Sequence, residues 1–213
     1  LPDGRLEPLA SSTAGLGDAV LAALSLGATE VVVCLGGSAS TDGGAGLLHS
    51  LGAVMTDAHG ERVTPTGATL ESIAALDLDG LDPRVNAARF VVATDVDSPL
   101  TGERGAAAVF APQKGADART VVRLDAALAD VADAPGAGAA GGTGAALLAA
   151  LSAERVSGAA YLQDLTGLPD ALAGSDLVVT GEGRLDAQSA LGKGAMSVAA
   201  RAQSMGCLLY TSR

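Results

Sequence analysis

Short apolar runs alternate along the chain with stretches that have helical periodicity. Residues 31–35, 90–94 and 177–180 are runs of mostly β-branched side chains bounded by glycine or polar residues, which predicts buried strands. Residues 16–26 follow three hydroxyl residues and end at Gly27, a pattern that predicts a helix. Because strands alternate with helices, the sequence predicts an α/β fold with a mostly parallel sheet flanked by helices.

Further stretches are predicted to be helical, at residues 44–51, 117–132, 145–151, 168–173 and 195–204. Residues 54–63 contain Asp57, His59 and Gly60 and are expected to form a hairpin or turn, and residues 69–76 a short helix. Cys34 lies within the first apolar run, so we expect it to be a small buried side chain.

The first glycine loop (residues 36–44, GGSASTDGG) directly follows the first predicted strand. Ligands of parallel sheets bind beyond the carboxyl ends of the strands. Gly36 and Gly37 let backbone N–H groups approach an anion, and Ser38 can donate a hydrogen bond to a phosphate or a hydroxy acid. Asp42 can take a hydroxyl proton or hold Mg²⁺. The alternative is a polar turn in which Asp42 caps the following helix.

The Glu182 loop (residues 180–194) follows the third predicted strand. It combines glycines, carboxylates and cations in the order Gly181, Glu182, Gly183, Arg184, Asp186 and Lys193. Phosphoryl transfer needs metal ligation, phosphate clamping and a base, and this loop has candidates for all three. The alternative is a solvated loop with an ion pair between Arg184 and Asp186.

Three other segments carry candidate chemistry. The Asp95 loop (residues 93–100) ends the second predicted strand and offers carboxylates, or else caps a turn. In the Lys114 segment (residues 110–116), Lys114 contacts a phosphate or is a solvated side chain. The second glycine loop (residues 135–144) contains G-x-G-x-x-G but follows a predicted helix, so a dinucleotide fingerprint is not supported. A phosphate nest and a flexible connection both remain open.

Composition excludes several classes of function. The 213 residues carry 13 Lys and Arg against 24 Asp and Glu, a net charge of −11 that repels nucleic acid. No apolar run reaches the roughly 18 residues of a membrane helix. Two cysteines make no disulfide framework, which favours a cytoplasmic location. The two histidines lack metal-ligand spacing, and there is no Walker-type phosphate loop.

Five motifs in order resemble the bacterial glycerate kinase family: residues 36–46, 93–100, 110–116, 135–147 and 178–193. The resemblance implies transfer of the γ-phosphoryl group of ATP to the 2- or 3-hydroxyl of D-glycerate, with Mg²⁺. Motif membership and loop chemistry together make Asp42 and Asp186 the candidate catalytic residues, and Asp42, Asp95 and Asp186 the candidate metal ligands. The candidate cofactor-binding residues are Gly36, Gly37, Ser38, Lys114, Gly181, Glu182, Gly183, Arg184 and Lys193.

The family fold has two α/β domains with the active site in the cleft between them. By resemblance, residues 1–172 are expected in the inserted domain and residues 173–206 in a partial return to the flavodoxin-like domain. Residues 207–213 do not resemble the strand that the family has there, so we expect a non-native tail and an architecture incomplete at both ends. The alternative function is an inactive fragment with weak ligand binding. A nicotinamide-dependent oxidoreductase is disfavoured. The expected partner is a small molecule, glycerate, and the sequence does not predict the oligomeric state.

Overall fold

The computed structural model describes residues 6–129, 134–181 and 194–212, with the side chains of residues 208–212 excepted. The chain forms two compact units, Leu1–Arg155 and Val156–Arg213. This division does not test the family domain boundary expected near residue 172, which stays a prediction. None of the helices in the described ranges is long and apolar enough to cross a bilayer.

A parallel strand pair forms the centre of the first unit. The strands β1 (Glu30–Cys34), β4 (Arg89–Ala93) and β5 (Glu154–Val156) form one sheet in the order β1-β4-β5. β1 and β4 pair in parallel, residue for residue, from Glu30 opposite Arg89 to Cys34 opposite Ala93. Both strands therefore end at the same edge of the sheet, and the first glycine loop and the Asp95 loop leave from that edge. The predicted α/β fold with a parallel sheet is confirmed.

Helices surround this sheet, and most lie where the sequence predicts them. They are α1 (Ala14–Ser25), α2 (Ala45–Ser50), α3 (Pro83–Ala87), α4 (Ala106–Phe110), α5 (Ala118–Leu128) and α6 (Thr143–Ala145), which continues as a π-helical segment, Ala146–Ala150. π-Helical turns are rare and occur frequently at functional sites. The segment follows the second glycine loop directly.

The short helix predicted at residues 69–76 is wrong in its second half. A single 3₁₀ turn, Leu70–Ser72, is followed by the strand β3 (Ala75–Asp77), which pairs antiparallel with β2 (Val54–Thr56). The backbone becomes extended at Ile73, and Ala74 N donates to Thr56 O at 2.8 Å. One turn is too short to propagate as a helix, so pairing with β2 determines the conformation.

The core is one cluster of apolar side chains, contributed by β1 and β4 and by the helices α1, α2, α4, α5 and the π-helical segment. Its fully buried side chains include Leu47, Leu51, Leu124, Leu128 and Leu147. Burial of each leucine contributes on the order of 1.5–3 kcal/mol. Cys34, predicted to be buried, is exposed because it is the last residue of β1, an edge strand of this sheet.

The second unit contains α7 (Gly158–Leu165), α8 (Leu168–Ala173), β6 (Leu177–Gly181), α9 (Ala195–Ser204) and β7 (Leu208–Ser212). β6 and β7 pair in parallel, from Leu177 opposite Leu208 to Gly181 opposite Ser212. Residues 208–212 therefore form a strand, and whether it matches the strand that the family has there stays a prediction. Whether this segment is native stays a prediction.

Candidate functional site

Three of the motif loops interlock through their backbones at the carboxyl edge of β1 and β4. Gly43 N donates to Gly141 O at 3.1 Å, which joins the two glycine loops. Gly138 N donates to Ser98 O at 3.1 Å, which joins the second glycine loop to the Asp95 loop. Gly138, Gly141 and Gly142 have no room for a side chain: a Cβ on Gly142, for example, would lie 2.7 Å from the Cα of Gly43. The close approach requires glycine at these positions.

Lys114 connects one further motif, the Lys114 segment, to the same group of loops. Its side chain is only 4% exposed, and its Nζ donates to Ser38 Oγ at 2.9 Å and to Ser40 O at 2.5 Å. Burial lowers the pKa of Lys114 from 10.5 to about 8, and the negative charge of Asp42 opposes part of that shift. The sequence allowed two interpretations of Lys114, a phosphate contact or a solvated side chain. The structure buries it beneath the first glycine loop, so it is not a solvated side chain.

The carboxylate of Asp42 is fully buried and bonded to the protein's own donors. Its Oδ2 accepts from Thr13 N at 2.7 Å, Thr13 Oγ1 at 2.8 Å, Gly46 N at 3.2 Å and Ser12 Oγ at 3.3 Å. Its Oδ1 accepts from Gly44 N at 3.2 Å. The side chain therefore joins the N-termini of α1 and α2, where the helix dipoles favour a negative charge. A role as base or metal ligand stays a prediction for Asp42.

Ser12 and Thr13 belong to this arrangement, although the sequence shows them only as hydroxyl residues ahead of a helix. Thr13 makes no side-chain cap for α1; its hydroxyl donates to Asp42 and accepts from Leu47 N at 2.9 Å. Their spacing from Asp42, about thirty positions in the chain, gave no signal of this contact.

Gly36 and Gly37 differ from the crowded glycines. Both are exposed, and a Cβ added to either would meet no atom of the described residues within 4 Å. Gly37 has a φ of 58°, in the left-handed region that glycine adopts at little cost. Packing among the described residues therefore does not explain why Gly36 lacks a side chain. The open space above these two residues is where a ligand could reach the backbone.

The Asp95 loop is fixed by Arg155, a residue that no motif contains. Its guanidinium forms a short ion pair with Asp97 and donates to Val96 O at 3.4 Å. A Cβ on Gly136 would lie 2.8 Å from Arg155 Nε, so the side chain also lines the second glycine loop. Asp95 itself is partly buried. Within the described ranges, no group of three His, Cys, Asp or Glu side chains could hold a metal, and the metal role of Asp95 stays a prediction.

Most of the Glu182 loop lies outside the described residues, namely residues 182–193. The predictions for Glu182, Gly183, Arg184, Asp186 and Lys193 therefore stay predictions. Gly181 is described: it is the last residue of β6 and is exposed. The loop thus leaves from the carboxyl end of a parallel strand, as the first glycine loop does.

A cavity of about 600 Å³ is lined in part by Asp42 and Gly43. Its walls are mostly aliphatic side chains of α5, the π-helical segment and the β2–β3 pair. The charged groups in its lining include Glu71 and Arg123, which form an ion pair at 2.6 Å. This lining suits apolar contact rather than phosphate.

Comparison with known proteins defines the class to which this fold and these loops belong. Residues 1–211 match the glycerate kinase family, and the chain belongs to that family. It is 42% identical over 211 residues to the glycerate 2-kinase of Escherichia coli K12, covering 93% of this chain and 55% of that protein. It is 42% identical over 215 residues to the glycerate kinase of Bacillus cereus, covering 95% of this chain and 56% of that protein.

A solved structure agrees with the sequence comparison. A candidate glycerate kinase 2 from Salmonella typhimurium LT2 superposes with a TM-score of 0.84 at 41% sequence identity. The superposition covers 99% of this chain and 60% of the other. The chain thus spans little more than half the length of the relatives it matches.

Proposed function

We propose that this chain supplies the ligand-binding loops of a kinase that transfers the γ-phosphoryl group of ATP to a hydroxyl of glycerate. Membership of the glycerate kinase family supports the reaction class. The observation that carries the proposal is the pair of exposed glycines, Gly36 and Gly37, with open space above them at the carboxyl end of β1. A strand–glycine loop–helix arrangement is a common way to bind a phosphate or carboxylate through backbone N–H groups.

The positive charge at this loop comes from Lys114, directly beneath it. Its ammonium donates to Ser38 and Ser40, so its charge lies next to the backbone that would receive the anion. The hydroxyl of Ser38 is partly exposed and can donate a further hydrogen bond. These groups fit the phosphates of ATP or the carboxylate of glycerate, both of which are anionic. The remaining contacts to ATP and glycerate are proposed to come from the Glu182 loop, through Gly181, Glu182, Gly183, Arg184 and Lys193.

For the chemical step, we assign the base to Asp186 ahead of Asp42. The glycerate hydroxyl oxygen bonds to the γ-phosphorus, the bond to the β–γ bridging oxygen breaks, and the hydroxyl proton passes to the carboxylate. Asp42 already accepts five hydrogen bonds and is fully buried, so it is poorly placed to take that proton. Mg²⁺, when bound, would offset phosphate charge, with Asp95 and Asp186 as its proposed ligands. A cytoplasmic location agrees with this use of ATP.

The test places a methyl group in the open space above the loop. Within the part of the chain that the structure describes, Gly36→Ala is sterically free, since no atom there lies within 4 Å of the added Cβ and the φ of Gly36 is not left-handed. We expect the urea midpoint to stay unchanged while ATP affinity falls at least tenfold, because the methyl group blocks the approach to the backbone. Gly15→Ala, in α1, is the matched control: among the described residues it is equally open, it should leave ATP affinity unchanged, and its urea midpoint should stay the same or rise, because alanine favours a helix more than glycine does.

Turnover is measured with D-glycerate, ATP and Mg²⁺, and the product is assigned to the 2- or 3-position by phosphorus NMR. Turnover by wild type that Gly36→Ala abolishes would support the kinase. ATP binding without turnover would support the alternative, an inactive fragment that retains ligand binding. If Gly36→Ala binds ATP as wild type does, the first glycine loop is not the anion site.

A further inference from the structure

Lys114 is enclosed by the loops around it. Its Nζ uses two of its three hydrogens on the first glycine loop, at Ser38 Oγ and Ser40 O. We propose that Lys114 is a positioning residue that fixes residues 38–40 and thereby holds Gly36 and Gly37 open, without touching the ligand itself. This proposal rests on the proposed function only for the identity of the ligand that the loop binds. The contacts between Lys114 and the loop do not depend on the proposed function.

The surroundings of the ammonium leave little room for a ligand. The second glycine loop covers it at Gly141, where an added Cβ would lie 3.0 Å from Lys114 Nζ and 2.2 Å from Ser40 O. Gly141 also accepts from Gly43 N, so this cover is hydrogen-bonded to the first glycine loop. A direct phosphate contact through the third hydrogen would require this cover to open, because the side chain is only 4% exposed.

The other end of the loop is anchored separately. Asp42 joins residues 42–46 to the N-terminus of α1, and residues 40–44 are all buried. Exposure then rises toward Gly37 and Gly36, which are the exposed end of the loop. The loop thus has its carboxyl end fixed by a carboxylate and its middle fixed by an ammonium, while its amino end continues from β1, where Leu35 N donates to Ala93 O at 3.0 Å. Gly36 and Gly37 lie between β1 and the ammonium, so their conformation depends on both.

The experiment is hydrogen exchange of the ligand-free full chain, read by mass spectrometry in peptides covering residues 36–44. Lys114→Met removes both donors; Lys114→Gln retains an amide that can donate to Ser40 O. We expect exchange in the buried residues 40–44, which include the hydrogen-bonded N–H groups of Gly43 and Gly44, to rise about tenfold in the Met variant and less in the Gln variant. The reason is that the charge-assisted hydrogen bonds from Lys114 to the loop are lost. Peptides from α1 should be unchanged. Arg119→Met, which removes an exposed cation from α5, should match wild type throughout.

ATP binding separates positioning from contact. If Lys114 positions the loop, ATP affinity falls in parallel with loop protection, and Lys114→Gln restores part of both. If the Met variant loses ATP affinity while its ligand-free loop exchanges as wild type does, Lys114 contacts the ligand and the proposal is overturned. Unchanged exchange in the Met variant overturns it whatever the affinity. Because the exchange is measured without ligand, a chain that fails to phosphorylate glycerate still tests the proposal.

Discussion

Asp42 offers the sharpest prediction, because a base and a structural carboxylate respond differently to the same substitution. In Asp42→Ala, five donors lose their acceptor: the hydroxyls of Ser12 and Thr13, and the backbone N–H groups of Thr13, Gly44 and Gly46. The hydroxyls can rotate toward other acceptors, but the three N–H groups cannot. We therefore expect a large loss of stability at a residue that the reaction itself need not use.

The magnitude follows from the three N–H groups. A buried donor left without a partner costs about 1–3 kcal/mol, less where water can enter the space left by the side chain. Since the three contributions share one site and are not additive, we expect Asp42→Ala to lower the free energy of unfolding by about 4 kcal/mol. Asp42→Asn retains one acceptor oxygen but turns an NH₂ group toward backbone donors, so we expect about 2 kcal/mol.

The assay is urea denaturation followed by circular dichroism, with Asp57→Ala as control. Asp57 Oδ1 also accepts from two backbone N–H groups, those of His59 and Glu61, but on an exposed turn. Water replaces these lost bonds, so the control should lose no more than about 1 kcal/mol. The reasoning is refuted if Asp42→Asn unfolds at the wild-type urea concentration yet abolishes turnover. That outcome would make Asp42 the base.

Three further predictions concern the interlocked loops. Gly141→Ala places a Cβ 2.2 Å from Ser40 O at a φ of 71° and should lower the free energy of unfolding by about 3 kcal/mol. Gly37→Ala, at a φ of 58° but with open space among the described residues, should lower it by only about 1 kcal/mol. Thermal unfolding of the two variants measures the difference. Thr41→Val should be neutral or stabilising by about 1 kcal/mol in urea denaturation, since the buried Thr41 Oγ1 has no hydrogen-bond partner among the residues that the structure describes. The pKa of Lys114 lies at about 8 in the folded chain, so the unfolded chain binds more protons between pH 8 and 10.5 and the folded state becomes more stable as the pH rises through this range. The free energy of unfolding of wild type should therefore increase by up to about 3 kcal/mol over this range relative to that of Lys114→Met. An equal pH dependence in both proteins would contradict the lowered pKa.

The sequence predicts the scaffold of the site because the relevant signals are local. An uninterrupted apolar run at residues 31–35 identifies β1, and another at residues 90–94 identifies β4. Parallel pairing then brings the first glycine loop and the Asp95 loop to one edge without further information. The same locality explains the failure at residues 75–77, where pairing with β2, some twenty positions earlier in the chain, determines a strand.

The contacts within the site depend on pairs far apart in the chain, which no local pattern encodes. Lys114 follows a proline and a glutamine and has the sequence context of a solvated residue; only the packing of the two glycine loops buries it. Asp42 has the right chemistry for a base, but the helix that occupies its carboxylate begins nearly thirty residues earlier. Arg155 lies outside every motif, and its contact with Asp97 becomes visible only in the folded chain.

The backbone interlock also limits how this region can diverge. Main chains of neighbouring loops are in contact here: a Cβ added to Gly138 would lie 2.1 Å from the carbonyl oxygen of Pro99. A substitution in one loop therefore has to be matched by a backbone shift in another. A saturation library should therefore tolerate almost nothing at the crowded glycines and much more at Ala39, which is only partly buried. Attempts to change what these loops bind would start from Ala39 and leave the interlocked main chain unchanged.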